Sequence, residues 1–457
     1  MQIPFEWLKY YQETANFVTY YGDIYPGFIY EFNEFPDSIF IVPPINTKTV
    51  AELQKDNQLT MEKLTEYGWE IRDEKIIRKV IENKGLGQDN DLPNPAILGN
   101  QKWKQMFVFG AGASANCVLE EETSFKEFSL RPPLGNELFS DRFRSIYNKY
   151  DGVKQLLPNL RMAKNEVEKF LQSEWNIIRH TYNPTLLSRH INIYYYLQEL
   201  FFNISHSILG EYYAYNLYSS FTDRLQKKLS INPSEKVAIV NFNYDIILDE
   251  YLSSNFNVKF KQMDDYINFN NDPFLYFKPH GSANWGWNFN SPESRNEINN
   301  TPAWLYNNKI SLAEIYYNHL GGIENMVHGR SWAFDNKYSV NKNRIEIITD
   351  YPRRYLPSML IPYNEKDEFV MPYHHRLRME YFIGEMEDLF LIGWKGNERA
   401  FNSLLKTHLR KLKRIIIVNP DQATVISNLA PFLGDIFKKF EVIQINTFED
   451  FLNSSLI

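Results

Sequence analysis

Short apolar runs alternate with amphipathic stretches from Lys104 to the end of the chain. The runs are rich in β-branched and aromatic residues, which is typical of parallel strands covered on both faces by helices. We therefore predict an α/β domain over 104–457, with a doubly wound, mainly parallel, Rossmann-like sheet. Helices are predicted at about 397–411 and 421–433. The predicted strands are 106–110, 236–242, 274–278, 358–361, 388–393, 414–418 and 440–445.

Two insertions interrupt this pattern. The first, at about 135–230, is predicted to be helical and contains a tyrosine-rich stretch from Tyr194 to Tyr218. Aromatic residues at this density form core or subunit contacts, so we expect a homo-oligomer that uses this insertion or the N-terminal extension. The second insertion, at about 287–345, is rich in Asn and Trp and is predicted to be a loop structure. Residues 1–103 are predicted to be an N-terminal extension of unknown role.

Composition restricts the function classes. A formal charge of −7 argues against a general nucleic-acid binder. The basic cluster at 406–414 is interpreted as a helix C-terminus, not as a nucleic-acid patch. The single cysteine, Cys117, excludes an intrachain disulfide and a cysteine-based zinc cluster. No apolar stretch has the length of a membrane span, and the first residues do not form a signal peptide, so we expect a soluble protein of the reducing cytoplasm.

A glycine turn follows the first predicted strand. It comprises Gly110, Ala111, Gly112, Ala113 and Ser114, and it opens a predicted helix. Backbone N–H groups at such a junction can bind a phosphate, although small residues also allow any strand and helix to pack closely. The turn lacks the third glycine and the acidic residue of the usual dinucleotide fingerprint, which disfavours a standard dehydrogenase site.

Candidate catalytic residues follow the next two predicted strands. Asn243 and Asp245 lie at the carboxyl end of 236–242, where open parallel sheets bind ligands. The alternative for Asp245 is that it caps a helix over 246–254. His280 ends the following strand and is flanked by Gly281, which distinguishes it from the other histidines, although a lone histidine is more often structural.

Two further strand ends carry residues suited to the adenosine half of a nucleotide. Gly393 and Trp394 follow 388–393, and Asn419 and Asp421 follow 414–418. Glycine allows close backbone approach, and the amide and carboxylate can bond to ribose hydroxyls. Each pair can equally be an ordinary helix start, with Asn419 or Asp421 as the cap.

The order of these motifs, GAGAS, NFNYD, KPHGS, then GW and NPD, resembles the sirtuin-like superfamily over about 104–457. The resemblance implies that the glycine turn surrounds the phosphates of NAD. It implies that Asn243 and Asp245 face the nicotinamide ribose and carboxamide, and that His280 is the general base.

This chain also departs from the protein-deacylating sirtuins. Those enzymes hold zinc with four cysteines, and the glutamine before their asparagine is Phe242 here. The pattern looks instead like the sirtuin-like effectors of bacterial antiphage systems, which cleave NAD to nicotinamide and ADP-ribose once a partner or signal activates them. The resemblance therefore implies an NAD glycohydrolase without zinc and with no cofactor besides NAD, its substrate.

The activating partner and two other functions stay open at this point. Similar effectors work with a hexameric translocase-type ATPase or with a short Argonaute-like protein, and we expect a separate activator of one of these kinds. A zinc-free protein deacylase and a non-catalytic sensor of NAD or ADP-ribose are the alternatives.

Overall fold

The computed structural model describes residues 102–118, 131–163, 167–178, 184–211, 213, 216–268, 273–289, 353–360 and 369–456, together with seven strands elsewhere. The chain forms two compact units. The first comprises Met1–Asp91 and Glu314–Gly322, and the second comprises Leu92–Ala313 and Ile323–Ile457. The expected division of the chain at residue 103 stays a prediction.

The described backbone of the first unit contains antiparallel strands. Its three-stranded sheet has β1 (Leu8–Val18), β2 (Ile24–Phe32) and β3 (Phe35–Val42) in that order. β4 (Trp69–Arg72) and β5 (Lys75–Arg78) pair as a second, two-stranded sheet.

A six-stranded parallel sheet is the centre of the second unit. Its strands are β6 (Lys102–Phe109), β7 (Glu235–Asn241), β8 (Phe274–Phe277), β13 (Asp388–Ile392), β14 (Arg414–Val418) and β15 (Glu441–Ile445). They are arranged in the order β15-β14-β13-β6-β7-β8. Counted along the chain this is the doubly wound order 3-2-1-4-5-6, in which the winding direction reverses between β6 and β13. The predicted Rossmann-like fold is confirmed.

Helices follow the strands of this sheet and form the insertion between β6 and β7. They are α1 (Ala111–Ala115), α2 (Arg144–Tyr147), α3 (Asp151–Ala163), α4 (Val167–Ile178), α5 (Pro184–Glu211), α6 (Leu217–Ile231), α7 (Ile247–Phe256), α8 (Tyr373–Glu385), α9 (Arg399–His408), α10 (Gln422–Leu433) and α11 (Phe448–Asn453). Helices α2 to α6 occupy the region that the sequence predicts as a helical insertion.

The core lies on both faces of the parallel sheet, which explains why its strands are continuous apolar runs. All four residues of 106–109 are fully buried. Phe107 of β6 stacks on Phe390 of β13 with the ring centres 4.6 Å apart, and Phe221 of α6 contacts Phe107 edge-on at 5.2 Å. The insertion therefore packs directly on the central strands.

The tyrosines of the insertion are largely buried within the chain itself. Tyr194, Tyr195, Tyr196 and Tyr218 are each at most 3% exposed. Their burial matches the core alternative for these four residues, whereas Tyr213 is 44% exposed. Tyr212 and Tyr215 lie outside the described residues, and a homo-oligomer stays a prediction.

One predicted strand belongs to a different sheet. The run 358–361 overlaps β12 (Arg353–Met359), which pairs antiparallel with β9 (Gly281–Phe289) and β11 (Ile348–Asp350). An apolar run predicts a strand but does not specify its partner. Of the predicted loop insertion at 287–345, the structure describes only the end of β9 and β10 (Leu320–Asn325); the rest lies outside the described residues.

Three cations of the basic cluster pair with acidic residues that lead into β13. Lys411 contacts Glu385 at 2.6 Å and Lys413 contacts Glu387 at 2.9 Å. Arg414 donates two hydrogen bonds of 2.7 Å to Asp388. Local ion pairing therefore occupies these side chains. None of the helices in the described part of the chain combines the length and apolar character needed to cross a membrane.

Candidate functional site

The motifs from separate parts of the sequence meet at one edge of the parallel sheet. Gly110, Asn243, His280 and Gly393 follow the carboxyl ends of β6, β7, β8 and β13. The Asn243 Nδ2 donates to the Gly110 carbonyl at 3.0 Å, and the Gly112 N–H donates to the Gly393 carbonyl at 3.0 Å. This edge includes the point between β6 and β13 where ligands bind in doubly wound sheets.

The glycines of the turn are required by close backbone packing. A Cβ on Gly110 would lie 2.6 Å from the Trp394 Cα, and a Cβ on Gly112 would lie 2.9 Å from the Gly393 carbonyl oxygen. Gly393 has a φ of +58°, and its Cβ would lie 2.1 Å from the Ala113 nitrogen. The close-packing interpretation of the turn therefore holds.

Phosphate binding by the turn stays a prediction. The Gly112 N–H is engaged by Gly393, and the Ala113 N–H donates to the Gly110 carbonyl at 2.9 Å. Two of the amides expected to face a phosphate are thus bonded within the protein, and α1 is only five residues long. Ala111 is exposed and Gly112 is half-buried, so the turn still reaches solvent.

Asn243 connects the turn to the end of β7. Its backbone N–H donates to the Asn241 Oδ1 at 3.0 Å, and its Nδ2 also donates to the Ser114 Oγ at 2.9 Å. The side chain oxygen accepts no hydrogen bond from any described residue, so Oδ1 is the atom that can serve a ligand. Ser114 is 1% exposed and also bonds to the Tyr218 hydroxyl at 2.9 Å, so its hydroxyl is engaged within the protein, and a contact with phosphate stays a prediction.

Asp245 supports the same loop from inside. It is 1% exposed, and its Oδ1 accepts from the Ile247 N–H at 3.2 Å, where α7 begins. Burial raises the pKa of its carboxyl, an effect that Lys278 and a hydrogen bond from Ser114 oppose. Asp245 thus bonds to the first residue of α7, but the N-cap position is Ile246, one residue later than the capping alternative expects. A contact of Asp245 with the substrate carboxamide stays a prediction.

His280 is held at the end of its strand by a hydrogen bond from the ring. The residue is 2% exposed, and its Nδ1 lies 3.2 Å from the carbonyl oxygen of Phe242. A carbonyl oxygen only accepts, so Nδ1 carries a proton and donates, and in the neutral imidazole the lone pair is on Nε2. The ring packs 4.7 Å from the ring of Phe242 and 6.1 Å from that of Tyr244. The geometry suits Nε2 to accept a proton.

A buried polar network, which the sequence analysis missed, supports the loops that carry Asn243 and His280. The Lys278 Nζ donates to both carboxylate oxygens of Asp249, at 3.1 and 2.9 Å, and to the Asp245 carbonyl at 2.8 Å. The Tyr276 hydroxyl donates to Asp249 at 2.6 Å and accepts from the Asn241 Nδ2 at 2.8 Å. Lys278 lies two residues before His280, so the network fixes the loop of Asn243 relative to that of His280. The only sequence signal was Lys278 within the KPHGS motif.

An aromatic cluster lies beside this network at the sheet edge. Phe242 stacks on Trp394 with the ring centres 5.7 Å apart and an interplanar angle of 9°. Phe401 of α9 contacts both rings edge-on at 5.4 and 5.6 Å. Phe242 therefore makes apolar contacts with the segment that follows β13 and with α9.

Asn419 and Asp421 make the contacts of a turn and a helix cap. The Asn419 Nδ2 donates to the Trp394 carbonyl at 3.1 Å, and its Oδ1 accepts from the Asp421 N–H at 2.9 Å. The Asp421 carboxylate accepts from the Thr424 N–H at 3.2 Å, which caps α10. Hydrogen bonds from the Thr424 side chain and then from its backbone lower the pKa of Asp421. The capping alternative therefore holds for Asp421, and a contact with adenosine stays a prediction.

Cys117 is fully buried next to this site. The Asn216 Nδ2 lies 3.5 Å from its sulfur, and burial raises the pKa of the thiol. Within the described ranges, no group of three or more His, Cys, Asp or Glu side chains is arranged to hold a metal ion. That the protein works without zinc stays a prediction.

Comparison with protein-family models finds no match, and comparison with curated protein sequences finds none either.

Proposed function

We propose that this protein hydrolyses NAD to nicotinamide and ADP-ribose. The observation that carries the proposal is the placement of His280 and Asn243 beside the glycine turn of a 3-2-1-4-5-6 sheet. Sheets of this order bind dinucleotides at the edge where these residues lie. The motif order that resembles the sirtuin-like superfamily adds the reaction type.

The proposed reaction breaks the bond between ribose C1′ and the nicotinamide nitrogen and forms a bond from C1′ to water oxygen. Nicotinamide leaves as a neutral base through an oxocarbenium-like transition state, comparable to glycoside hydrolysis. His280 takes up the proton that water loses, directly or through a ribose hydroxyl, and the Asn243 Oδ1 orients the water. Both side chains are at most 5% exposed, and exclusion of solvent strengthens these interactions.

We propose a cytoplasmic role in bacterial antiphage defence, in which NAD depletion stops growth of the infected cell. This setting rests on the resemblance, as does activation by a separate protein, either a hexameric translocase-type ATPase or a short Argonaute-like protein. The burial of His280 and Asn243 supports a resting state that must open before a dinucleotide enters.

The direct test is nicotinamide release by the full-length protein, alone and with the protein encoded beside it. We expect His280→Gln to lower the rate by about 10²–10⁴-fold. His206→Gln is the matched control, because His206 is exposed and its Nδ1 makes the same kind of contact, 2.9 Å from the Phe202 carbonyl. Equal release by wild type and His280→Gln contradicts the mechanism.

Asn243→Ala is a less clear test of catalysis. Its Nδ2 holds both Gly110 and Ser114, so truncation removes structural hydrogen bonds together with the catalytic oxygen. We expect this variant to lose activity and also stability, by about 1–3 kcal/mol.

A dinucleotide sensor that does not cleave is the second candidate. The engagement of Asn243, Asp245 and Ser114 by protein groups favours it, since such side chains serve the loop and need not act on a substrate. Tight binding with NAD recovered intact, under every partner condition, supports the sensor. Formation of acyl-ADP-ribose from an acylated peptide supports a deacylase.

A further inference from the structure

Four buried polar groups beside His280 accept or donate no hydrogen bond within the described part of the chain. They are the Tyr244 hydroxyl, the Ser282 hydroxyl, the Asn284 Oδ1 and the Ser358 hydroxyl. All four residues are more than nine-tenths buried. Buried polar groups are nearly always bonded, so a local concentration of unbonded ones indicates a ligand that completes them.

The four residues lie on segments that contact one another. Ser282 and Asn284 are two positions apart on β9, so they share one face of that strand. The Ala283 N–H between them donates to the Tyr244 carbonyl at 2.8 Å. Ser358 of β12 lies against Gly281, whose Cβ would be 1.9 Å from the Ser358 carbonyl oxygen. Gly281 directly follows His280, which places the group next to the general base.

We propose that these four residues form the pocket for the carboxamide of the nicotinamide ring, an inference that rests on the proposed hydrolysis of NAD. A carboxamide carries an NH₂ donor and a carbonyl acceptor. The Asn284 Oδ1 can only accept, so it receives the NH₂, and the hydroxyls donate to the carbonyl. The Asp245 carboxylate, which the resemblance assigns to this contact, is engaged by Ile247 and Ser114.

The pocket predicts an unusual combination of effects on stability and specificity. Ser282→Ala and Tyr244→Phe each remove a hydroxyl that bonds to no described residue. Neither change breaks a hydrogen bond between described residues, so we expect an unchanged or higher melting temperature. The same changes weaken recognition of the carboxamide. A purely structural role predicts the opposite effect on stability.

The decisive experiment compares cleavage of NAD with cleavage of its 3-acetylpyridine analogue, which keeps the carbonyl and lacks the NH₂. Asn284→Leu removes the acceptor at nearly constant volume. We expect it to lower the preference of kcat/KM for NAD over the analogue by about tenfold. Gln105→Met is the control, because it removes a buried amide near the opposite end of the sheet, where Gln105 contacts Asp388. An unchanged preference in Asn284→Leu overturns the pocket.

A binding measurement separates this inference from the hydrolase proposal. Nicotinamide alone, at millimolar concentration, is expected to raise the melting temperature of the wild type and not that of Asn284→Leu. If the wild type shows this shift but never cleaves NAD, the pocket stands and the hydrolase fails. If nicotinamide shifts the wild type and Asn284→Leu equally, or neither, the pocket fails whatever the activity.

Discussion

Lys278→Met removes the cation from the buried network between the loops of Asn243 and His280. Lys278 is fully buried and the Asp249 side chain is 4% exposed, so water cannot compensate either charge. The substitution deletes three hydrogen bonds and leaves the Asp249 carboxylate with the Tyr276 hydroxyl alone among the described partners. Breaking a buried pair from one side costs about 3–5 kcal/mol, and we expect a loss of this size.

Two further variants serve as controls for the loss of stability expected in Lys278→Met. Lys413→Met breaks an ion pair with the same 2.9 Å separation, but the Lys413 side chain is 66% exposed. Exposed pairs contribute about 0–1 kcal/mol. In Lys278→Met/Asp249→Asn no buried charge remains and the Asn oxygen can still accept from Tyr276, so we expect the double variant to recover about 1 kcal/mol or more relative to Lys278→Met.

Urea unfolding, followed by circular dichroism and tryptophan fluorescence, measures the loss of unfolding free energy in the two single variants and the double variant. The buried Trp285 and Trp394 belong to the unit that contains the network. The urea midpoints are converted to free energies of unfolding with a slope of about 1–3 kcal/mol per molar urea. Free energies of unfolding for Lys278→Met and Lys413→Met that agree within about 0.5 kcal/mol refute the reasoning. A double variant less stable than Lys278→Met also contradicts it, because the residual charge would then not be the cause.

Two further predictions concern a glycine and a histidine. Gly281→Ala is expected to lower the free energy of unfolding by more than about 2 kcal/mol and to abolish activity, because φ is +76° and the Ser358 backbone blocks the Cβ. Gly210 is exposed in α5 and no atom lies within 4 Å of its Cβ position, so Gly210→Ala is expected to raise the free energy of unfolding by about 0.5–1 kcal/mol. Equal melting temperatures for these two variants contradict it. Burial lowers the pKa of His190 to about 3, so only the unfolded chain gains its proton as pH falls below 6.5. Stability should therefore fall between pH 6.5 and about 3, by up to about 1.4 kcal/mol per pH unit, and His190→Gln should flatten this slope in urea titrations at pH 5–6.5.

The parallel sheet could be predicted because each of its strands is buried on both faces. Runs such as 415–417 contain only apolar residues, and their alternation with helices indicates βαβ units. The assignment of β12 to a separate sheet could not be predicted, because pairing depends on distant residues such as those of β9. Strand order likewise follows from packing of the whole domain.

The sequence predicts which residues lie at the candidate site, but it predicts less well what each of them contacts. Strand ends predict that Asn243 and His280 share an edge, since parallel strands end together. The contacts of Ser114 with Tyr218 and of Asp421 with Thr424 depend on local hydrogen bonds. The amino-acid sequence pattern does not predict which partner each side chain bonds to. The pairing of Lys278 with Asp249 crosses from one helix to one strand and has no periodic signature.

The wild-type chain is suited to site-specific cysteine labelling, because its own cysteine, Cys117, is expected to react slowly with thiol reagents. Its thiol is the only one in the sequence, is fully buried, and has a raised pKa, so the thiolate that reacts with maleimides is scarcely populated. A cysteine introduced at Met162, which is 80% exposed, would react selectively without removal of Cys117. Fluorophores or spin labels attached there would report on conformational change in an otherwise unaltered protein.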